Sequence, residues 1–239
     1  MSPAPIPPSP ERAGENHRHI IQDMFTAVAP RYDLMNDLMS MGIHRLWKRR
    51  AVALCAARPG DACVDLGGGT GDIARLLAAG GARVTVCDPS SAMMAEGRRA
   101  PSGGLSWVAG TGEQLPFADA SLDVVTTSFA LRNMTRPQDA LTEILRVLKP
   151  GGRFVCLEFS QAAGWLRPAY DWYSHHVIPR LGAAVAGRPE AYRYLVDSIR
   201  EFPDQRLLKA WMTTAGFEKV SYVNLSFGVA AIHRGAKPS

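Results

Sequence analysis

Residues Cys63–Asp72 read CVDLGGGTGD, and Arg83–Asp88 downstream read RVTVCD. In the first segment a short apolar run carries an acid, Asp65, and is followed by glycines at 67, 68, 69 and 71. Glycines suit a tight turn from strand to helix and leave the backbone open to a ligand. In the second segment an apolar run closes on Asp88, a carboxylate placed to accept hydrogen bonds from a ribose diol. Together they predict a nucleoside-binding crevice at the carboxyl ends of adjacent parallel strands.

The glycine spacing bears on which nucleoside. A dinucleotide fingerprint needs glycine at the first, third and sixth positions, so that a pyrophosphate can sit on the helix N-terminus. Gly67 and Gly69 meet the first two requirements, but the sixth position is Asp72, a carboxylate that would repel a pyrophosphate. S-adenosylmethionine carries no phosphate and has a cationic sulfonium, and Asp65 suits its amino group or a water network. The methyl donor is favoured over a nicotinamide dinucleotide.

The chain has 239 residues, 46% hydrophobic and 21% charged, with a formal charge of +5. That length supports one substantial core and predicts a single domain over residues 16–239. No apolar run approaches a membrane span, and the N-terminus lacks the charged-then-apolar order of a signal peptide. Four cysteines (55, 63, 87, 156) show no metal-binding or disulfide spacing. Buried reduced thiols in a cytoplasmic protein are expected, and no metal site. The positive charge permits attraction to anionic lipid, phosphate or RNA without establishing any of them.

Residues 1–15 hold five prolines and little apolar bulk, the composition of a disordered tail. From about His17, apolar residues at three- and four-residue spacings predict a helix that ends at Ala29-Pro30. The polar, methionine-rich stretch to Lys48 fits a lid over the crevice or a pair of amphipathic helices covering the sheet. A helix from about Ile43 to Ala57 leads to the turn at Arg58-Pro-Gly60. Strands and helices then alternate in the doubly wound manner. Strands are expected at 62–66, 83–87, 105–109, 122–128 and 153–159, with helices at 71–79, 90–100 and 137–148. A helical, aromatic insertion at 161–203, a helix at 203–215 and two closing strands, about 217–224 and 227–234, complete the chain. The fold class is α/β: a Rossmann-like, seven-stranded class I methyltransferase sheet with helices on both faces, whose last strand runs antiparallel.

The loops after parallel strands should carry the chemistry. Arg132 and Asn133 follow the fourth strand, where an arginine could stabilise a phenolate and Asn133 could orient a substrate oxygen. The alternative for Arg132 is a structural pairing with a carboxylate. The Asn/Asp-Pro-Pro-Tyr loop used for amino nitrogens and a Pro-Cys nucleophile are both absent. An electron-rich carbon acceptor, such as the ortho carbon of a phenolate, needs neither. A phenol's pKa near ~10 means that the site must favour the anion. In the insertion, Trp165, Tyr170, Trp172 and Tyr173 with Arg167 and Arg180 suit an apolar acceptor, a membrane interface or simply a cap on the sheet edge.

Three groups of residues resemble the ubiquinone/menaquinone biosynthesis C-methyltransferase family. They are an N-terminal stretch, Tyr32–Lys48 (YDLMNDLMSMGIHRLWK), a central set, SFALRN at 128–133 with RVLKPGG at 146–152 and LEFS at 157–160, and a C-terminal set. YRYLVDSIR at 192–200, FPDQ at 202–205 and NLSFGVAAIHRG at 224–235 extend the match. The resemblance spans about residues 17 to 236. It implies transfer of a methyl group from S-adenosylmethionine to a ring carbon of a polyprenyl benzoquinol or naphthoquinol. By the family pattern, donor contacts fall on Thr70, Asp88, Thr111-Gly112 and Ser128, beside the Asp65, Gly67 and Gly69 read above. At the third of these the family more often has a carboxamide or acid followed by alanine. Tyr32, Asp33, Arg132 and Asn133 would face the quinol.

Peripheral contact with the inner face of the membrane and a homodimer stay open on this basis, and no nucleic-acid partner is expected. Two competing functions remain: methylation of a soluble phenolic metabolite, and a non-catalytic donor-binding scaffold of a quinone-biosynthesis complex.

Overall fold

The computed structural model describes Asp37, Ser40 and residues 42–101, 103–176 and 189–239. The tail at 1–15, the helix from His17, and Tyr32 and Asp33 lie outside the described residues. The described elements run in order as α1 (Ile43–Cys55), β1 (Ala62–Leu66), α2 (Asp72–Ala79), β2 (Arg83–Asp88), α3 (Ser91–Arg99) and β3 (Ser106–Ala109). There follow β4 (Leu122–Ser128), α4 (Pro137–Val147), β5 (Leu148–Phe159), α5 (Arg167–His176), α6 (Pro189–Glu201), α7 (Gln205–Thr214), β6 (Glu218–Leu225) and β7 (Ala230–Ala236).

The strands form one sheet in the order β3-β2-β1-β4-β5-β7-β6. β1 to β5 pair in parallel, and β7 lies antiparallel between β5 and β6. Side chains on a strand alternate between faces, and the cores on the two faces divide accordingly. Val64, Val125 and Cys156 pack with α4 and α7. Cys63, Val124 and Val155, their chain neighbours, pack with α1 and α2. A sheet covered on both faces explains why its central strands β1 and β4 are almost wholly buried.

Helix starts follow local chemistry. The Ser90 hydroxyl accepts from the Met93 N–H at 3.3 Å and caps α3. Pro137 occupies the first turn of α4, where its missing N–H costs nothing. The Asp204 carboxylate accepts from Arg206 and Leu207 and caps α7, so that helix begins two residues after Pro203.

Two strand starts differ from the sequence expectation by more than two residues. The Lys149-Pro-Gly-Gly152 turn is absorbed into β5: Leu148 pairs with Leu122, and pairing resumes at Arg153 with Val124. Gly151 takes a left-handed φ of 72° within this irregularity. β7 starts at Ala230 rather than 227 because Ser226–Gly228 form a 3-10 turn. All four cysteines are free and buried; burial pushes Cys55, Cys63 and Cys87 up to about 12, which leaves them inert thiols.

Candidate active site

The carboxyl ends of β1, β2 and β4 bring most of the sequence-predicted site residues together. Gly67, Gly69 and Gly71 all have positive φ (64°, 53° and 85°), which only glycine adopts without strain. The space on their Cβ side belongs to the protein. A Cβ on Gly67 would lie 2.3 Å from the Ala130 methyl, and one on Gly68 2.7 Å from Asp65 Oδ2. The glycines therefore let the loop press onto the β4 loop and the Asp65 carboxylate, besides giving it its turn.

Asp88 holds the loop from the β2 side. Its Oδ2 accepts from the Gly69 N–H at 2.8 Å and its Oδ1 from the Ser90 N–H at 2.8 Å. Burial raises its pKa, against the pull of those two N–H groups. Asp65 is more extreme. Its Oδ2 accepts from the Ala74 N–H at 3.1 Å, while Oδ1 is buried with no hydrogen-bond partner. Desolvation pushes this carboxyl up to about 7. Thr70 is buried in the same loop.

Beyond β3, Thr111 forms an isolated bridge with Gln114. Gly112 is packed so closely that a Cβ would meet Met134 Sδ at 2.4 Å. The Met134 thioether fills the space that a Cβ there would need. Arg146 braces the following loop by donating to the Leu115 and Phe117 carbonyls and to Glu143 and Asp119.

After β4, the Ser128 hydroxyl is buried without a partner. Phe129 then takes a left-handed φ of 56°, a strained conformation for a bulky residue. It turns the Phe129 carbonyl to accept from Arg132 Nη1 at 2.6 Å and Asn133 Nδ2 at 3.3 Å. Arg132, 5% exposed, pairs with Glu158, 1% exposed, at 2.7 Å. Burial raises the Glu158 pKa, and Arg132 opposes that rise. Arg132 Nε remains buried without a partner. The guanidinium also lies over the Phe159 ring at 5.4 Å. Tyr194 from α6 donates to Asn133 Oδ1 at 3.4 Å, and burial pushes its phenol up to about 12. Trp47, Phe129 and Phe159 form an aromatic wall, with the last two rings 4.6 Å apart.

Asp72, read as an obstacle to pyrophosphate, has a structural partner. Lys48 Nζ on α1 donates to its Oδ2 at 2.8 Å. Burial works to raise the Asp72 pKa, but Lys48 and Arg75 bring it below the ordinary value. His44, one turn earlier, is buried and meets the Ser40 hydroxyl at 2.7 Å through Nδ1. Burial and the Lys48 charge lower it to about 4, so it is neutral at physiological pH.

This crevice fits S-adenosylmethionine. Asp65 and Asp88 sit at the carboxyl ends of β1 and β2, and the buried, unpartnered Asp65 Oδ1 and Ser128 Oγ call for polar ligand atoms. Among the described residues no group of three or more His, Cys, Asp or Glu side chains could hold a metal ion. Strand order and crevice define a class I, S-adenosylmethionine-dependent methyltransferase. Residues 12–237 match the family model described as the ubiE/COQ5 methyltransferase family, and the chain belongs to that family.

It is 59% identical over 217 residues to the ubiquinone/menaquinone biosynthesis C-methyltransferase of Rubrivivax gelatinosus, covering 91% of this chain and 86% of that protein. It is 50% identical over 226 residues to the enzyme of the same name from Paracoccus denitrificans, covering 91% and 90% of the two chains. Among solved structures, the [4+2]-cyclase SpnF superposes with a TM-score of 0.67 at 17% identity, covering 100% of this chain and 99% of the other. A Haemonchus contortus phosphoethanolamine N-methyltransferase in complex with S-adenosyl-L-methionine gives 0.57 at 14% identity, covering 77% and 50%. At such identities these two structures speak for the fold alone.

Reasoning from sequence gave no role to Glu158, Lys48 or Tyr194. A signal existed for the first: an acid inside the apolar strand FVCLEF has to be paired if buried. Lys48 and Tyr194 carry no comparable mark, since each sits on an amphipathic helix where solvent exposure is the ordinary outcome.

Proposed function

We propose that the chain methylates a ring carbon of a polyprenyl quinol in ubiquinone and menaquinone biosynthesis, accepting a 2-methoxy-6-polyprenyl-benzoquinol, a demethylmenaquinol or both. The observation that carries this reading is the identity with relatives of that name over nine-tenths of the chain. When bound, S-adenosylmethionine supplies an electrophilic methyl group on a cationic sulfur. Asp65, Gly67, Gly69, Thr70, Asp88, Thr111, Gly112 and Ser128 hold it in this proposal, with Asp65 Oδ1 facing its ammonium group.

The remaining residues act on the acceptor. The ortho carbon becomes nucleophilic when the ring hydroxyl gives up its proton, so the site must favour an oxygen anion. Arg132 is the group proposed for this. Glu158 occupies one end of its guanidinium, which fixes the fork and leaves the Nε–H, unpartnered in the structure, to donate to the phenolate. Asn133, held between the Phe129 carbonyl and the Tyr194 hydroxyl, orients the same oxygen. The family resemblance adds Tyr32 and Asp33 as contacts to the acceptor in this proposal. The wall of Trp47, Phe129 and Phe159 keeps water from the ring and raises the strength of each polar contact.

A long prenyl tail keeps the acceptor in a bilayer, so the enzyme works at the membrane surface as a peripheral protein. Among the described residues no helix is long and apolar enough to cross a membrane. The test compares each reduced acceptor with its tail-less counterpart. Transfer only to prenylated rings supports the quinol assignment, whereas equal or better transfer to tail-less phenols points to a soluble metabolite. Donor binding with no transfer to any ring indicates a scaffold.

A further inference from the structure

We infer that Trp165 and Phe227 form an anchor that docks the rim of the active site onto an anionic lipid bilayer. The two rings meet edge to face, with centroids 5.2 Å apart, yet they are 70% and 67% exposed. They come from different segments. Trp165 sits in the connection between β5 and α5, and Phe227 at the tip of the β6–β7 turn.

That turn is built at a cost. Ser226 and Phe227 have φ of 44° and 58°, left-handed values that strain residues bearing a Cβ. Strain of this kind persists where the surroundings enforce it and clusters at functional positions. Here the enforcing contacts are visible. The Ala163 N–H donates to the Phe227 carbonyl at 2.8 Å, and the Ser160 N–H to the Val229 carbonyl at 3.0 Å. Gln205 Nε2 donates to both the Gln161 and Gly228 carbonyls. A Cβ on Gly228 would fall 2.8 Å from the Gln161 oxygen, so only glycine permits this approach. The backbone is held firmly while its aromatic side chain is left in water.

The position and charge of the pair identify the partner. The parallel strands β5 and β6 end on the same edge of the sheet as the donor crevice, and residues 160–165 continue from the strand that carries Glu158. Arg167, two residues after Trp165, and Arg206, next to Gln205, are exposed. Residues 160–168 and 225–230 contain no acid; of the two acids before Arg206, Glu201 and Asp204, the latter is engaged as the cap of α7, and the whole chain carries +5. Indole and phenyl rings flanked by arginines are the side chains that settle at the headgroup boundary of a bilayer, where basic groups meet anionic lipid. A second protein surface would not need the rim of a lipid-processing site. The choice of a bilayer over a protein partner rests on the quinol reading.

The experiment uses the full chain and vesicles that contain no quinol, either phosphatidylcholine alone or phosphatidylcholine with phosphatidylglycerol. Binding is read by co-sedimentation, and methyl transfer is assayed separately on a short-tailed, water-soluble acceptor. The protein should partition onto the phosphatidylglycerol vesicles, less so at high salt. Trp165→Ala/Phe227→Ala should weaken partitioning by about tenfold per ring removed with transfer to the soluble acceptor unchanged. Arg167→Gln/Arg206→Gln should reduce the advantage of the anionic vesicles. Vesicle binding that depends on the two rings supports the anchor even if no quinol is methylated; that result would sink the quinol reading alone. Absence of partitioning, equal partitioning of wild type and the Trp165/Phe227 variant, or a change of oligomeric state in that variant would overturn the anchor.

Discussion

Arg132 Nη1 lies 2.7 Å from Glu158 Oε1, with both side chains buried beneath the loop that follows β4. The pair joins the carboxyl ends of two neighbouring strands. Glu158 Oε1 also accepts from the Phe159 N–H at 2.9 Å, and Arg132 Nη1 donates to the Phe129 carbonyl. A charge in such a place is tolerated only with its partner. Glu158→Ala should therefore cost roughly 3–5 kcal/mol of stability, and replacing both residues by Met and Leu should recover much of that loss. Urea denaturation of the single and double variants measures both.

If Arg132 also stabilises the acceptor oxygen, its removal should separate chemistry from donor binding. Arg132→Ala is expected to lower turnover about 100-fold or more while changing donor affinity little. Stopped-flow turnover set against donor titration decides the point, and equal losses in both would leave Arg132 with a structural role only.

Asp65 predicts a pH dependence of donor binding. Its carboxyl, pushed up to about 7 by burial, is protonated in a large share of free enzyme at neutral pH. A donor ammonium favours the carboxylate, so affinity should rise between pH 6 and 8 with proton release, both within about one pH unit of that value. Calorimetry in buffers of different ionisation enthalpy detects the proton, and Asp65→Asn should abolish both effects.

His44 gives a pH signature in stability. Its pKa is lowered to about 4 in the folded chain, against about 6.5 unfolded. The unfolded chain takes up the proton first as pH falls, so stability is present above pH 6.5 and lost between about 6.5 and 4. The Asp65 contribution runs the other way over much of this range, because its raised pKa favours the folded state as pH falls from 7. Comparing His44→Gln with wild type isolates the histidine: the variant should show a shallower loss on acidification.

Most of the architecture was legible because it depends on chain-local patterns. Apolar runs, the glycine turn at 67–71 and Pro137 at a helix start each act within a few residues. The position of Asp65 and Asp88 at the crevice was legible for the same reason, since each lies at the carboxyl end of its own strand. What escaped was chemistry made by distant pairs. Nothing local joins Lys48 to Asp72 across 24 positions or Arg132 to Glu158 across 26. The role of Gly112 was also hidden, because it depends on where Met134 packs. The turn at 226–228 shortened β7 through left-handed residues at Ser226 and Phe227 that their side chains do not favour.

The most direct measurement follows a labelled methyl group from S-adenosylmethionine to short-tailed 2-methoxy-6-prenyl-benzoquinol and demethylmenaquinol, each offered reduced and oxidised. The expected result is label on a ring carbon of at least one reduced acceptor and none on the oxidised quinones, since only the quinol can form the phenolate. Label on a ring oxygen, or no transfer to either quinol with donor binding intact, would contradict the assignment.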